Sequence, residues 1–130
     1  MSNQLNEFKQ QFSQVNGFEN KYMLLLKLAK TGEFLEPELC VDENEIAGCE
    51  AKVWMCSSMV DGKVHFKANS DSRLIRAILW IVVSLANDSD QAENIDYVSI
   101  LLGFGLGNVV SQSRQNGIMK IQESIEMILI

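Results

Sequence analysis

Apolar residues recur along the chain at helical spacing first, at every second position in the middle, and at helical spacing again. Leu5, Phe8, Phe12 and Val15 predict an amphipathic helix over 3–13, closed by Asn16-Gly17. Tyr22, Leu25, Leu26 and Ala29 predict a second helix over 19–30, with Thr31-Gly32 as its stop. Residues 34–40 are expected to be irregular, because Pro37 discourages a regular helix.

The period then drops to two. Residues 52–59 and 63–68 read as strands joined by the tight turn Asp61-Gly62. Val64, Phe66 and Ala68 share one face; Lys63, His65 and Lys67 share the other, which is expected to be solvated. A lone hairpin is marginal, so a further strand or covering helices must support it, and the residues before Cys49 are the expected source of a short third strand. Asn69-Ser70-Asp71-Ser72 is rich in helix-cap formers. After it comes a helix from Arg73 to about Ala86, apolar on most sides and therefore the expected central buried helix.

Asn87-Asp88-Ser89-Asp90 should break that helix. Residues 91–102 predict one further helix or two short ones, with Tyr97, Ile100 and Leu101 inward. Gly103–Gly107 reads as a loose connection. The last helix is expected from near Ser111 to the end, striped by Ile118, Ile121, Ile125 and Ile128. These elements predict an α+β fold: one domain over 1–130, with a small antiparallel sheet (a hairpin plus a short third strand) packed against several helices.

Composition narrows the function classes. The chain has 130 residues, 47% apolar, one proline and a formal net charge of −6. Such a chain can bury a core, and its acidity argues against nucleic acid as the main partner. The first residues lack the basic region followed by an apolar one that marks a signal peptide, and the longest apolar run, Ala77–Val83, is too short for a bilayer. The expected setting is therefore the cytoplasm, without membrane insertion. Three cysteines, an odd number, fit poorly with a disulfide framework.

Candidate chemistry centres on Cys49. It follows Gly48, just past the acidic run Asp42–Glu45 and just before a strand, so it is expected on a loop entering the sheet. Two readings stay open on the residues alone: a reactive loop thiol and a buried structural one. Cys56 reads as a small apolar strand residue and Cys40 is ambiguous. Cys40, Cys49, Cys56 and His65 lack close metal-ligand spacing. His65 is the one histidine available as a base for Cys49. The glycine-rich run at 103–107 follows no clear strand and reads as a connection. Asp71 and Arg73 read as helix-end residues; Arg114 opens the last helix, where the macrodipole disfavours a cation, so a carboxylate partner or a ligand is expected beside it.

Gly48-Cys49 followed by Val53-Trp54, a hairpin, Asn69-Ser70-Asp71 before a long apolar helix, and Ser113-Arg114-Gln115-Asn116-Gly117 opening the last helix resemble the SufE family, which includes the CsdE proteins. The resemblance runs from about Phe8 to Ile128. It departs from the family pattern at Ala68-Asn69-Ser70, at Gln112 and at Lys21-Tyr22. It implies a fold shared with IscU-type scaffolds, without their cluster-holding residues. It also implies a sulfur acceptor: Cys49 takes persulfide sulfur from a cysteine desulfurase of the SufS or CsdA kind, stimulates that enzyme and passes the sulfur on, typically to an iron–sulfur cluster scaffold. Such a chain would be a sulfur-transfer accessory protein and would bind no cofactor or metal itself, pyridoxal phosphate belonging to the partner. Gly48 would give the loop its freedom, Trp54 would anchor the strand in the core, and Asp71 and Arg114 would position the loop or dock the desulfurase. The rival readings are a binding module that activates a desulfurase without carrying sulfur, and a cysteine hydrolase using Cys49 and His65.

Overall fold

The computed structural model describes residues 3–88 and 94–129. In chain order its elements are α1 (Asn3–Ser13), α2 (Phe18–Ala29), β1 (Val53–Val60), β2 (Lys63–Ser70), α3 (Arg73–Asp88), α4 (Tyr97–Gly103) and α5 (Gln112–Leu129), with single 3₁₀ turns at Pro37–Leu39 and Asp42–Asn44. Ser89 and Asp90 of the expected breaker and positions 91–93 of the expected fourth helix lie outside the described residues. The fold is α+β, as the periodicities predict.

β1 and β2 pair antiparallel from Val53↔Ser70 to Val60↔Lys63. Asp61 (φ 53°) and Gly62 (φ 80°) turn the hairpin. Two successive positive φ values match the right-handed strand twist, and Asp-Gly tolerates them. Val53, Met55, Phe66 and Ala68 point into the core. Trp54 alternates with them, is only half-buried and faces the opposite side of β1, so it does not anchor the strand in the core as expected.

The expected third strand is reduced to one bridge, Glu45↔Trp54, made by Ile46 N–H donating to the Val53 carbonyl at 2.8 Å. The free edge of β2 is closed by other means. The Asn87 carboxamide accepts from Phe66 N (2.8 Å) and donates to Phe66 O (3.0 Å), taking the place of a strand neighbour. Leu35 N donates to the Ala68 carbonyl at 3.0 Å. These contacts satisfy edge groups that would otherwise invite another chain. Asn87 thus lies within α3, which runs two residues beyond its expected end.

α3 is the expected central helix. Ala77, Ile78, Leu79, Ile81, Val82, Val83, Leu85 and Ala86 are buried, and the helix packs across β2, α2 and α1. Ser72 begins it: its hydroxyl accepts from Ile75 N at 3.3 Å. α5 buries Gly117, Ile118, Ile121 and Ile125 and packs against α4; Ile128 of the expected stripe is exposed. No helix among the described residues is long and apolar enough to cross a membrane.

Candidate functional site

Residues 47–51 form a short loop whose two feet are clasped. One foot is the Ile46–Val53 bond. At the other, Lys52 N donates to the Asp71 carboxylate (3.1 Å), Asp71 N donates to the Lys52 carbonyl (3.3 Å), and the Ser70 hydroxyl donates to the same carbonyl (2.7 Å). Asp71 therefore serves the loop rather than the first turn of α3, which Ser72 caps. Gly48 adopts φ 89° between the feet, a conformation that a side chain would strain. Any Cβ there would also lie 3.4 Å from the Lys120 stem.

The loop leans Cys49 onto α5. Its Sγ–H points to the Gly117 carbonyl at 3.8 Å, a weak sulfur contact, and the Ser113 hydroxyl donates to the Glu50 carboxylate at 2.7 Å. Gly117 makes the approach possible, because a Cβ at that position would already be 3.6 Å from Cα, Cβ and Sγ of Cys49. Beside the thiol is a narrow cleft of about 20 Å³, walled by Val53, by Ile75, Ile78 and Leu79 of α3, and by Arg114, Ile118 and Ile121 of α5. A single water-sized group needs roughly 10–15 Å³, so the cleft admits one such atom and little more.

Burial pushes the Cys49 thiol above its usual range, and the nearby Glu45 carboxylate adds to the effect. At rest the sulfur is thus a thiol rather than a thiolate, half-shielded and quiet. Arg114 lines the same cleft. Its Nη1 donates to the Val109 carbonyl at 2.9 Å, while its buried Nε has no hydrogen-bond partner among the described residues. Of the two expected neighbours, a carboxylate or a ligand, no carboxylate pairs with this cation among the described residues, and a backbone carbonyl accepts from it instead.

The remaining candidates lie elsewhere. Register places His65 opposite Ser58, about 17 Å along β1 from Val53 at the usual strand rise, so the hairpin does not bring it to Cys49. Cys56 pairs with Lys67 on the less buried face, and the Cys40 thiol points to the Glu36 carbonyl at 3.5 Å. No group of three or more metal-ligating side chains converges among the described residues. Gly117 is the site residue that periodicity missed. A glycine inside a helical pattern is the available signal, since it weakens the helix and so implies a close neighbour.

Fold and site together define a small α+β protein in which one of three half-buried thiols, Cys49, sits on a clasped loop over a helix. The SufE family profile, described as an Fe-S metabolism associated domain, matches residues 6–129. The chain belongs to the SufE family. It is 33% identical over 118 residues to the sulfur acceptor protein CsdE of Escherichia coli, covering 88% of this chain and 80% of that one. An uncharacterized SufE-like protein of Haemophilus influenzae is 23% identical over 124 residues, covering 93% and 98%. Among solved structures, the solution structure of a hypothetical protein from Thermus thermophilus superposes with a TM-score of 0.76 at 16% identity, over 99% of this chain and 95% of that one. That likeness concerns the fold alone.

Proposed function

We propose that this chain is a sulfur acceptor whose carrier atom is Sγ of Cys49. The observation that carries the reading is the Cys49–Gly117 seat: a thiol on a loop with fixed feet, resting against a cleft one atom wide. Membership of the SufE family and the likeness to CsdE support it.

The donor is the persulfide of a cysteine desulfurase, whose own pyridoxal phosphate releases the sulfur from cysteine. The 47–51 loop swings from its seat, and in water the thiol loses its proton more readily. The thiolate attacks the outer sulfur of the donor persulfide. A new S–S bond forms on Cys49, the old S–S bond breaks, and its electron pair leaves with the desulfurase cysteine as thiolate. The loop then returns, and the added sulfur takes the space beside Sγ, away from oxidants and small thiols. The orphaned Arg114 Nε–H, in the wall of that cleft, is a ready donor to a charged sulfur. Onward release, to a cluster scaffold or another acceptor, repeats the exchange in the opposite sense.

His65 stands too far along the hairpin to act as a base for Cys49, so the hydrolase reading lacks its second group. The activating-module reading makes a separate prediction, that Cys49→Ser still speeds cysteine turnover. The test uses radiolabelled cysteine, a desulfurase and this chain, separated without reductant. Label should stay on the wild-type chain and on Cys40→Ser and Cys56→Ser, and be absent from Cys49→Ser. Label on Cys49→Ser overturns the assignment.

A further inference from the structure

The first two turns of α3 present two unlike faces. Ile75, Ile78 and Leu79 face the Cys49 cleft. Arg73, Arg76 and Ala77, on the other side of the same turns, face a second pocket of about 230 Å³ closed by Leu26, Lys30 and Phe34. We infer that this second pocket is a binding site for a small multivalent anion, one bearing phosphate or several carboxylates.

Three of the 11 cations of a chain with net charge −6 converge on it. None of the three forms an ion pair among the described residues. The acids nearest in sequence turn elsewhere: Glu33 reaches Lys67 at 4.0 Å, and Asp71 accepts from Lys52 N. The positive charge in the pocket is therefore not neutralised by an ion pair among the described residues, and concave walls concentrate such a field.

Arg76 is set in place rather than free. Its Nε and Nη2 donate to the Ser70 carbonyl at 3.4 and 3.1 Å, and its guanidinium lies 5.9 Å from the centre of the Phe34 ring. A guanidinium fixed on one edge can offer its remaining donors to an oxyanion at little entropic cost. Arg73 and Lys30 stand exposed at the rim, able to close on a second anionic group. The start of α3 adds its favourable dipole end. Volume limits the ligand, because drug-sized molecules usually occupy about 300–1,000 Å³. The site is separate from the thiol, so its occupation leaves the Cys49 cleft unobstructed.

The test follows backbone amide shifts of the whole chain by NMR at low ionic strength, titrating pyrophosphate and citrate in separate arms. Saturable shifts confined to residues 30–34 and 73–77, weakening as salt is added, are expected. In the double variant Lys30→Gln, Arg73→Gln, binding should weaken by about tenfold, as the loss of two rim ion pairs implies. Both positions are exposed, so the variant should keep its fold and accept sulfur on Cys49 as before. Response to pyrophosphate alone assigns a phosphate-bearing ligand, response to citrate alone a polycarboxylate, and response to both the shared chemistry. No saturable shift in either arm, equal shifts at Lys9 and Lys63, or unchanged binding in the double variant overturns the site.

Discussion

Gly117 and Cys49 fit together as a seat and its occupant: the helix lacks a side chain at the point where the loop sulfur needs the space. A Cβ at Gly117 would meet Cys49 at ordinary contact distance, 3.6 Å, so anything longer must displace the loop. Gly117→Leu should push Cys49 outward and make its thiol react with an alkylating reagent faster than wild type, nearing the rate of an unfolded peptide. Gly117→Ala should change the rate little. Equal rates for wild type and Gly117→Leu would show that the seat does not shield the thiol.

Burial also gives the thiol a pH signature. Because its pKa is raised in the folded chain, the unfolded chain gives up this proton at lower pH than the folded one. The stability due to keeping the thiol neutral is fully present below the ordinary thiol pKa. It is lost as pH rises through the higher folded value. Alkaline unfolding curves of wild type and Cys49→Ala should therefore converge as pH rises over that window, the variant losing less stability. Glu45→Gln, which removes the smaller cause, should bring the pH midpoint of Cys49 alkylation partway toward the ordinary thiol value. A midpoint that Glu45→Gln leaves in place, or curves that run parallel, would contradict this cause.

Asp71 holds the outer foot of the loop through Lys52 N. The carboxylate is solvent-exposed, so one such hydrogen bond contributes about 1 kcal/mol. Asp71→Ala should cost about that much in urea unfolding and also raise Cys49 alkylation. Asp71→Asn retains an acceptor and should recover most of both. A stability loss without any change in alkylation would mean that the foot does not govern the loop.

Away from the site, Gly32 abuts Trp80. A Cβ at Gly32 would overlap Trp80 Cδ1, and the indole is held edge-on by Phe8 at 5.4 Å. Gly32→Ala should lower stability by about 1–3 kcal/mol, the usual cost of overpacking. Gly103→Ala, with nothing within 4 Å, is the control and should be neutral or slightly stabilising. Matching unfolding midpoints for the two variants would show that Trp80 yields.

Periodicity carried most of the frame. Leu5, Phe8 and Phe12 mark α1 to its observed ends, and Asp61-Gly62 fixes the hairpin, because both signals are local. Groups that meet across the chain left fainter traces. Nothing near Asn87 announces that its amide closes the edge of β2, and the marginal hairpin finds support there and in one bridge rather than in a third strand. Trp54 is the expected core anchor, yet alternation from Val53 turns it outward. Arg114, expected beside a carboxylate or a ligand, donates to the Val109 carbonyl. The Gly48-Cys49 loop was legible, since glycine and the neighbouring strand lie in sequence beside the thiol. Its seat was not, since Gly117 is 68 residues away.

The most direct measurement is peptide-level mass spectrometry after incubation with a cysteine desulfurase, pyridoxal phosphate and cysteine, quenched by alkylation. One extra sulfur on the peptide holding Cys49, and on no peptide holding Cys40 or Cys56, is the predicted result. Faster cysteine turnover with an unmodified Cys49 peptide would contradict the account.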